Sequence, residues 1–200
     1  MLSLNSYKTF FMAVGLIGVV VCCVPTVMRL APPVGGETFS ELYALGPGHM
    51  AEGYPFNVSE GGSYMVYLGV GNHMGGSVYY EVVVKFRNST ESLPNATSGE
   101  ASSLPVVYRY RVFLGDGSVW EAPLNFSLLN VAFDGNVSSV GRLDVDGVVS
   151  DVNKIAMWDN ETKGFYYQVF VELWRYNVTT SRFGFDSRFI SLWLNVTQSF

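Results

Sequence analysis

The sequence predicts an all-β fold, an antiparallel immunoglobulin-like β-sandwich of about seven or more strands, preceded by one N-terminal transmembrane helix. Three observations carry this. Apolar side chains recur with a period of two in separate segments bounded by Gly, Pro, Asn and Asp, the pattern of half-buried strands. One run, residues 9–28 (TFFMAVGLIGVVVCCVPTVM), holds no charged residue. Outside that run no apolar pattern keeps a helical period for more than two turns. The expected organisation is an anchor in 1–30, a linker in 31–37 and an extracellular β-sandwich in 38–200.

As a helix, residues 9–28 would be about 30 Å long, enough to cross a bilayer core. Lys8 and the terminal amine lean towards a cytoplasmic N-terminus. A cleaved signal peptide is the competing reading, but its apolar region should span only about 7–15 residues and end at an Ala-x-Ala-like site. The run here is longer, and the exit VPTVMRLAPP offers no such site. Nor does Lys8-Thr9-Phe10 resemble a prepilin cleavage site. Pro25 is placed to kink the last turn. Cys22 and Cys23, the two cysteines of the chain, lie inside the run, where they read as small apolar residues. The exported part therefore has neither a disulfide nor a thiolate metal ligand, which suits an archaeal or bacterial surface protein. Residues 31–37 (APPVGGE) read as a short linker, stiff at its prolines and loose at its glycines.

The strands follow in order. Residues 39–45 form the first. Tyr64, Val66, Leu68 and Val70 form a stripe, as do Val78, Tyr80, Val82, Val84 and Phe86, and NHMGG at 72–76 makes the pair look like a hairpin. Pro105 opens the next, with Val106, Tyr108, Tyr110, Val112 and Leu114 set against Arg109 and Arg111. After the Gly115-Asp116-Gly117 turn come Leu124, Phe126 and Leu128. Phe165, Tyr167, Val169, Val171 and Leu173 mark a later strand, and Ile190, Leu192, Leu194 and Val196 the last. Two insertions interrupt the spacing. Residues 89–104, rich in Ser, Asn and Thr, are expected to be a mobile, sugar-bearing loop. Residues 131–163, with Asp-Gly turns at Asp134 and Asp146 and an apolar patch at 155–158, are expected to add one or two short strands capping an open face.

Composition narrows function. Eight of the twelve asparagines lie in Asn-x-Ser/Thr triplets without proline: Asn57, Asn88, Asn95, Asn125, Asn136, Asn160, Asn177 and Asn195. With 29 Ser and Thr in 200 residues, about two would arise by chance. The excess predicts N-linked glycans on an exported surface, and each acceptor falls in a loop, at a strand end or opposite a core-facing residue. A net charge of −5 gives no footprint for nucleic acid.

Asp144-x-Asp146-Gly147 with Asp151 is the one weak metal candidate, since calcium favours clustered carboxylates on tight loops; a hairpin turn with solvated aspartates explains the residues at least as well. His49 and His73 sit in glycine-flanked turns without acidic or cysteine partners at ligand spacing, and read as exposed turn residues. Glu41, Glu52, Glu60, Glu121 and Glu172 cannot be paired as acid and base. No nucleophile elbow, phosphate loop or dinucleotide fingerprint occurs. No catalytic residue and no cofactor is expected.

Seven aromatics lie opposite the core stripes: Tyr79, Phe113, Tyr166, Phe170, Trp174, Phe189 and Trp193. Some are expected to lie beneath the 131–163 insertion; the rest could form a protein contact, since aromatics concentrate in such patches. Trp174, Trp193, Phe170 and Phe189 are the candidate interaction surface. Trp174 and Trp193 could alternatively be stacking platforms of a carbohydrate- or ligand-binding module.

The stretch FSELYALGPGHMAEGYPFNVSEGGSYMVYLGVGN (39–72) with His73, through Leu45, Gly46, Pro47, Gly48, Tyr54, Pro55, Asn57, Gly69, Asn72 and His73, resembles the C-terminal extracytoplasmic domain of an archaeal membrane protein family, the DUF1616 family. Trp120-Glu121 and FISLWLNV at 189–196 look like that family's later strands, and 131–163 is least similar. The resemblance implies an archaeal, membrane-tethered β-domain and supplies no catalytic residues. Family members carry several transmembrane helices before the β-domain, where this chain has a single apolar segment. The expected protein is a single-pass cell-membrane protein with its domain outside. Its partners would be the bilayer, its own glycans and other subunits of a cell-envelope assembly, appendage or membrane complex. An extracytoplasmic hydrolase is the least supported alternative.

Overall fold

The computed structural model describes residues 7–8, 10–19 and 37–198. The described residues before 20 are helical and exposed, and no helix among the described residues is long and apolar enough to cross a membrane. Half of the anchor expected at 9–28, and most of the linker at 31–37, lies outside the described residues. Residues 38–200 form one compact unit.

That unit holds ten strands: β1 (Phe39–Leu45), β2 (Asn57–Val58), β3 (Tyr64–His73), β4 (Val78–Asn88), β5 (Val106–Leu114), β6 (Val119–Asp134), β7 (Val137–Val145), β8 (Val148–Met157), β9 (Tyr166–Asn177) and β10 (Arg182–Val196). They make two five-stranded sheets, ordered β1-β3-β6-β7-β8 and β2-β10-β9-β4-β5. Every pairing is antiparallel except the two-residue parallel match of β2 with β10. The all-β, two-sheet expectation holds.

Alternation places the core. Val66, Leu68 and Val70 of β3, Leu124, Phe126 and Leu128 of β6, and Leu143 and Val145 of β7 face Tyr80, Val82, Val84 and Phe86 of β4 and Tyr167, Val169, Val171 and Leu173 of β9, all of them buried. Each fully buried Val or Leu contributes about 1.5–3 kcal/mol relative to exposure. The two buried tyrosines keep their hydroxyls partnered across the sandwich: Tyr80 with Ser40 of β1 at 2.9 Å and Tyr167 with Ser138 of β7 at 2.8 Å.

Two sequence expectations fail here. β3 and β4 are not a hairpin but belong to different sheets. Asn72 turns the chain across: its Nδ2 donates to Gly76 O (2.8 Å) and Leu114 O (2.9 Å), and its Oδ1 accepts from Met74 N (3.1 Å) and Tyr80 Oη (3.2 Å). All four bonding positions of a buried amide are used, so the corner is stapled at its tightest point. Residues 131–163 are not a cap. They complete β6 and supply β7 and β8, two full strands that widen the first sheet. The β7–β8 turn is Asp146-Gly147, both with positive φ (48° and 83°), the conformation that a two-residue hairpin loop requires.

Candidate functional site: the outer face of the second sheet

The cross-strand register puts all seven outward aromatics on one face of the second sheet. Tyr79 pairs with Phe113, Glu172 with Phe189, Gln168 with Trp193 and Asn195 with Tyr166, and alternation along β9 adds Phe170 and Trp174. Their fates differ. Phe170 is fully buried, with 0% exposure, Phe189 and Trp174 are half-buried, and Trp193 is 45% exposed. The candidate interaction surface is therefore not continuous, and Phe170 is not available to a partner.

The cause is the segment 89–104, read from sequence as a mobile loop. It leaves β4, crosses the face and returns to β5. At its turn Asn95 and Glu100 exchange backbone hydrogen bonds at 2.8 and 3.0 Å, and Ala96 lies with Ser187, Arg188 and Phe189 along β10. Pro94 is buried. On the return, Ser102 sits on an ion pair. Lys85 Nζ lies 3.0 Å from Glu172 Oε2 and donates to Ser102 O at 2.6 Å, while Ser102 N donates to Glu172 Oε1 at 2.8 Å. The indole N–H of Trp174 donates to Glu172 Oε2 at 2.9 Å. Lys85 is 3% exposed and Glu172 0%, so the pair is dry, and its hydrogen bonds offset the cost of desolvation. This strap, rather than 131–163, covers the middle of the face.

Two aromatic surfaces remain open on either side. At one end Tyr79, Tyr176 and Phe183 pack with ring centroids 5.2–6.1 Å apart, beside Phe113 at 69% exposure. The Arg111 guanidinium lies 5.7 Å from the Phe183 ring; Arg109 and Arg111 both pair with Glu81, at 3.7 and 3.0 Å. Tyr176 and Phe183 were not singled out in the sequence, although the alternation of β9 and β10 places them there.

At the other end Phe56, Tyr166 and Trp193 form a shelf. Tyr166 stands edge-on to Trp193 at 6.2 Å and tilted to Phe56 at 6.2 Å, its hydroxyl donating to Thr162 O at 2.8 Å. Arg87 lies 5.9 Å from the Trp193 ring, and burial lowers its pKa. With Ser89, Asp159 and Thr162 the shelf borders an open depression of about 490 Å³. Asp159 Oδ1 accepts from Glu161 N (2.8 Å) and Thr162 N (3.1 Å); the Thr162 and Glu161 amides hold its carboxyl below the usual range.

The other candidates resolve plainly. None of the eight acceptor asparagines is buried. Asp144, Asp146 and Asp151 do not converge: Asp144 accepts from Gly147 N at 2.9 Å, Asp146 accepts from Asn125 N, Asn125 Nδ2 and the Tyr110 hydroxyl, and Asp151 is exposed beside Arg142 in the ladder. Among the described residues no three His, Cys, Asp or Glu are grouped to hold a metal.

His49 and His73 are not free turn residues. His49 stacks on Tyr67 at 3.8 Å and bonds Glu121 at 2.7 Å; His73 stacks on Phe39 at 4.7 Å and lies 3.5 Å from Glu41. Their neighbourhood explains two glycines, Gly46 of the Leu45–Gly48 phrase and Gly69 ahead of Asn72 and His73. A Cβ on Gly46 would stand 1.8 Å from Glu52 O, and one on Gly69 2.0 Å from the Tyr43 ring. These residues shape the outer face of the first sheet.

No curated protein matches the chain. Among solved structures it is similar to a β-glucosidase from Listeria innocua, with TM-score 0.43 and 12% identity over 83% of this chain and 17% of that one. It is also similar to the same enzyme in complex with glucose, with TM-score 0.41 and 12% identity over 81% and 16%. The chain thus spans about one sixth of the length of those enzymes, and a likeness of this degree assigns neither fold nor activity. The profile of a family described as a domain of unknown function, DUF1616, matches residues 33–135, from before β1 through β6. It includes the Leu45–Gly48 phrase, Asn72 and Trp120-Glu121, and stops before β7 and before the 189–196 stretch. With just over half of its length matched, the protein belongs to the DUF1616 family.

Proposed function

We propose that this chain is a membrane-anchored, N-glycosylated archaeal cell-surface protein. Its immunoglobulin-like sandwich works without catalysis, by binding other subunits of a cell-envelope assembly, appendage or membrane complex. The observation that carries the reading is that none of the eight acceptors is buried, six being exposed and Asn88 and Asn195 half-exposed, with a partly exposed aromatic surface left beside them. Tyr79, Phe113, Tyr176 and Phe183, edged by Arg109 and Arg111, combine aromatic area with guanidinium groups, the composition that interfaces favour. The residues 9–28 supply the anchor, with the N-terminus cytoplasmic. Mild solubilisation of native membranes should yield a stoichiometric partner or a polymer of this chain; a monodisperse monomer contradicts the proposal.

A second reading has its own observation. The Phe56, Tyr166 and Trp193 shelf, with Asp159 and Thr162 at its rim, combines the exposed Trp193 ring with a polar edge, features suited to a sugar. This carbohydrate-binding role rests on Trp193 and not on Trp174, whose indole N–H is already committed to Glu172. Binding on a glycan array together with a change in tryptophan fluorescence would support it; silence on both would end it.

A further inference from the structure

Asn195 adjoins the aromatic shelf, paired with its Tyr166. On β10 it lies two residues from Trp193, on the same outer face; across the ladder it pairs with Tyr166 of β9 on one side and Asn57 of β2 on the other. Its carboxamide orientation is fixed by its neighbours. A backbone N–H can only donate, and Phe165 N lies 3.2 Å from one end of the amide, so that end is Oδ1. The other end, Nδ2, gives one hydrogen to Asn57 Oδ1 at 2.9 Å. An amide nitrogen carries two hydrogens, and the second is left for substitution. Asn195 is thus a half-exposed acceptor whose nitrogen is held in place beside exposed rings.

We infer that the ligand of the shelf is the chain's own N-linked glycan on Asn195, whose first sugar lies against Trp193, Tyr166 and Phe56. The inference rests on the glycoprotein reading above and gives the carbohydrate-binding reading a specific occupant. The linkage is made by a transferase from a lipid-phosphate-linked oligosaccharide. The Nδ2–C1 bond forms, the anomeric C1–O bond to phosphate breaks, the lipid phosphate leaves, and the Nδ2 proton is released. The remaining Nδ2–H still reaches Asn57. A pyranose ring exposes a face of C–H groups, and the 45%-exposed Trp193 ring, with Tyr166 standing edge-on beside it and Phe56 tilted to Tyr166, offers an apolar counterpart to it. The Asn57 amide touches that of Asn195, so there is no room for a second sugar in the same place. In the folded state Asn57 and Asn195 are alternative acceptors, and a glycan on Asn195 closes the shelf to sugars from outside.

The test is glycopeptide mapping of the glycosylated full chain, combined with acrylamide quenching of tryptophan before and after enzymatic removal of glycans. A Trp193→Phe control isolates the Trp193 signal. Thr197→Ala removes the triplet without touching the Asn195 carboxamide, and serves where Asn195→Gln disturbs folding. The expected result is an occupied Asn195, low occupancy of Asn57 on the same molecules, and quenching that rises about two-fold on deglycosylation, because a ring facing solvent is open to the quencher. Thr197→Ala should match the deglycosylated protein and lower Tm by about 2–4 °C. An occupied Asn195 with unchanged Trp193 quenching overturns the inference, and so does an empty Asn195 while other acceptors carry sugar. If no acceptor is occupied, the glycoprotein reading falls and this inference falls with it.

Discussion

On its inner face β4 offers Tyr80, Val82, Val84 and Phe86 to the core; on its outer face it offers Glu81, Val83, Lys85 and Arg87, and these are buried almost as completely. The inner face is dry because two sheets meet there through apolar side chains. The middle of the outer face is dry because a strap lies over an ion pair whose oxygens and nitrogen all find partners. Burial alone therefore does not say what holds a face together. The inner face resists through non-directional packing, the outer through a few directional bonds that fail together.

The largest expected effect breaks that outer arrangement. Glu172→Gln leaves Lys85 without its counter-charge, and should destabilise the domain by about 3–5 kcal/mol in a urea melt, as removal of one partner of a buried pair does. The double variant Lys85→Met with Glu172→Leu should recover most of that loss. If Glu172→Gln alone proves harmless, the strap is not held by this pair. On the inner face, Leu173→Ala should cost about 2–5 kcal/mol through cavity formation, and no second substitution on the outer face should rescue it.

A smaller effect separates the dry tyrosines from the wet ones. Burial, then the hydrogen bond to Asp146, pushes the Tyr110 phenol well above its ordinary 10.0. Burial also raises Tyr80 and Tyr167, and Tyr43 is raised by burial and then by Glu121. These folded-state values lie above the unfolded ones, so the stability they contribute is fully present below pH 10 and is lost as pH rises beyond it. Ultraviolet titration of the folded domain should show these four phenols ionising only above pH 10, on unfolding. Ionisation of all phenols by pH 10 with the fold intact would contradict the buried assignment.

The smallest effect on stability concerns the exposed aromatic end. Phe113→Ala should change stability by no more than about 0.5 kcal/mol yet reduce recovery of a co-purifying partner. Equal recovery would remove that surface from the interface.

Much of this was legible in the sequence. The stripes of β3, β4, β5, β9 and β10 are visible as alternation, and that alternation set the seven aromatics on outward positions. Strand partners were not legible, because a period of two says which way a side chain points and not which sheet it joins. NHMGG therefore read as a hairpin although the Asn72 staple carries the chain across to the other sheet. The strap was misread because Ser, Asn and Thr suggest solvent. The signal that could have found it is the placement of Lys85 and Glu172 among apolar residues in mid-strand, where an unpaired charge is costly. None of the acceptor asparagines is buried, while the fixed amide of Asn195 depends on Phe165 and Asn57, residues brought near it only by the fold.

The most direct test of the central claim is native mass spectrometry of material released gently from its own membranes. The account predicts this chain carrying sugar mass on several of the eight acceptors and held to a stoichiometric partner or to further copies of itself. A monomer of unmodified mass would contradict it.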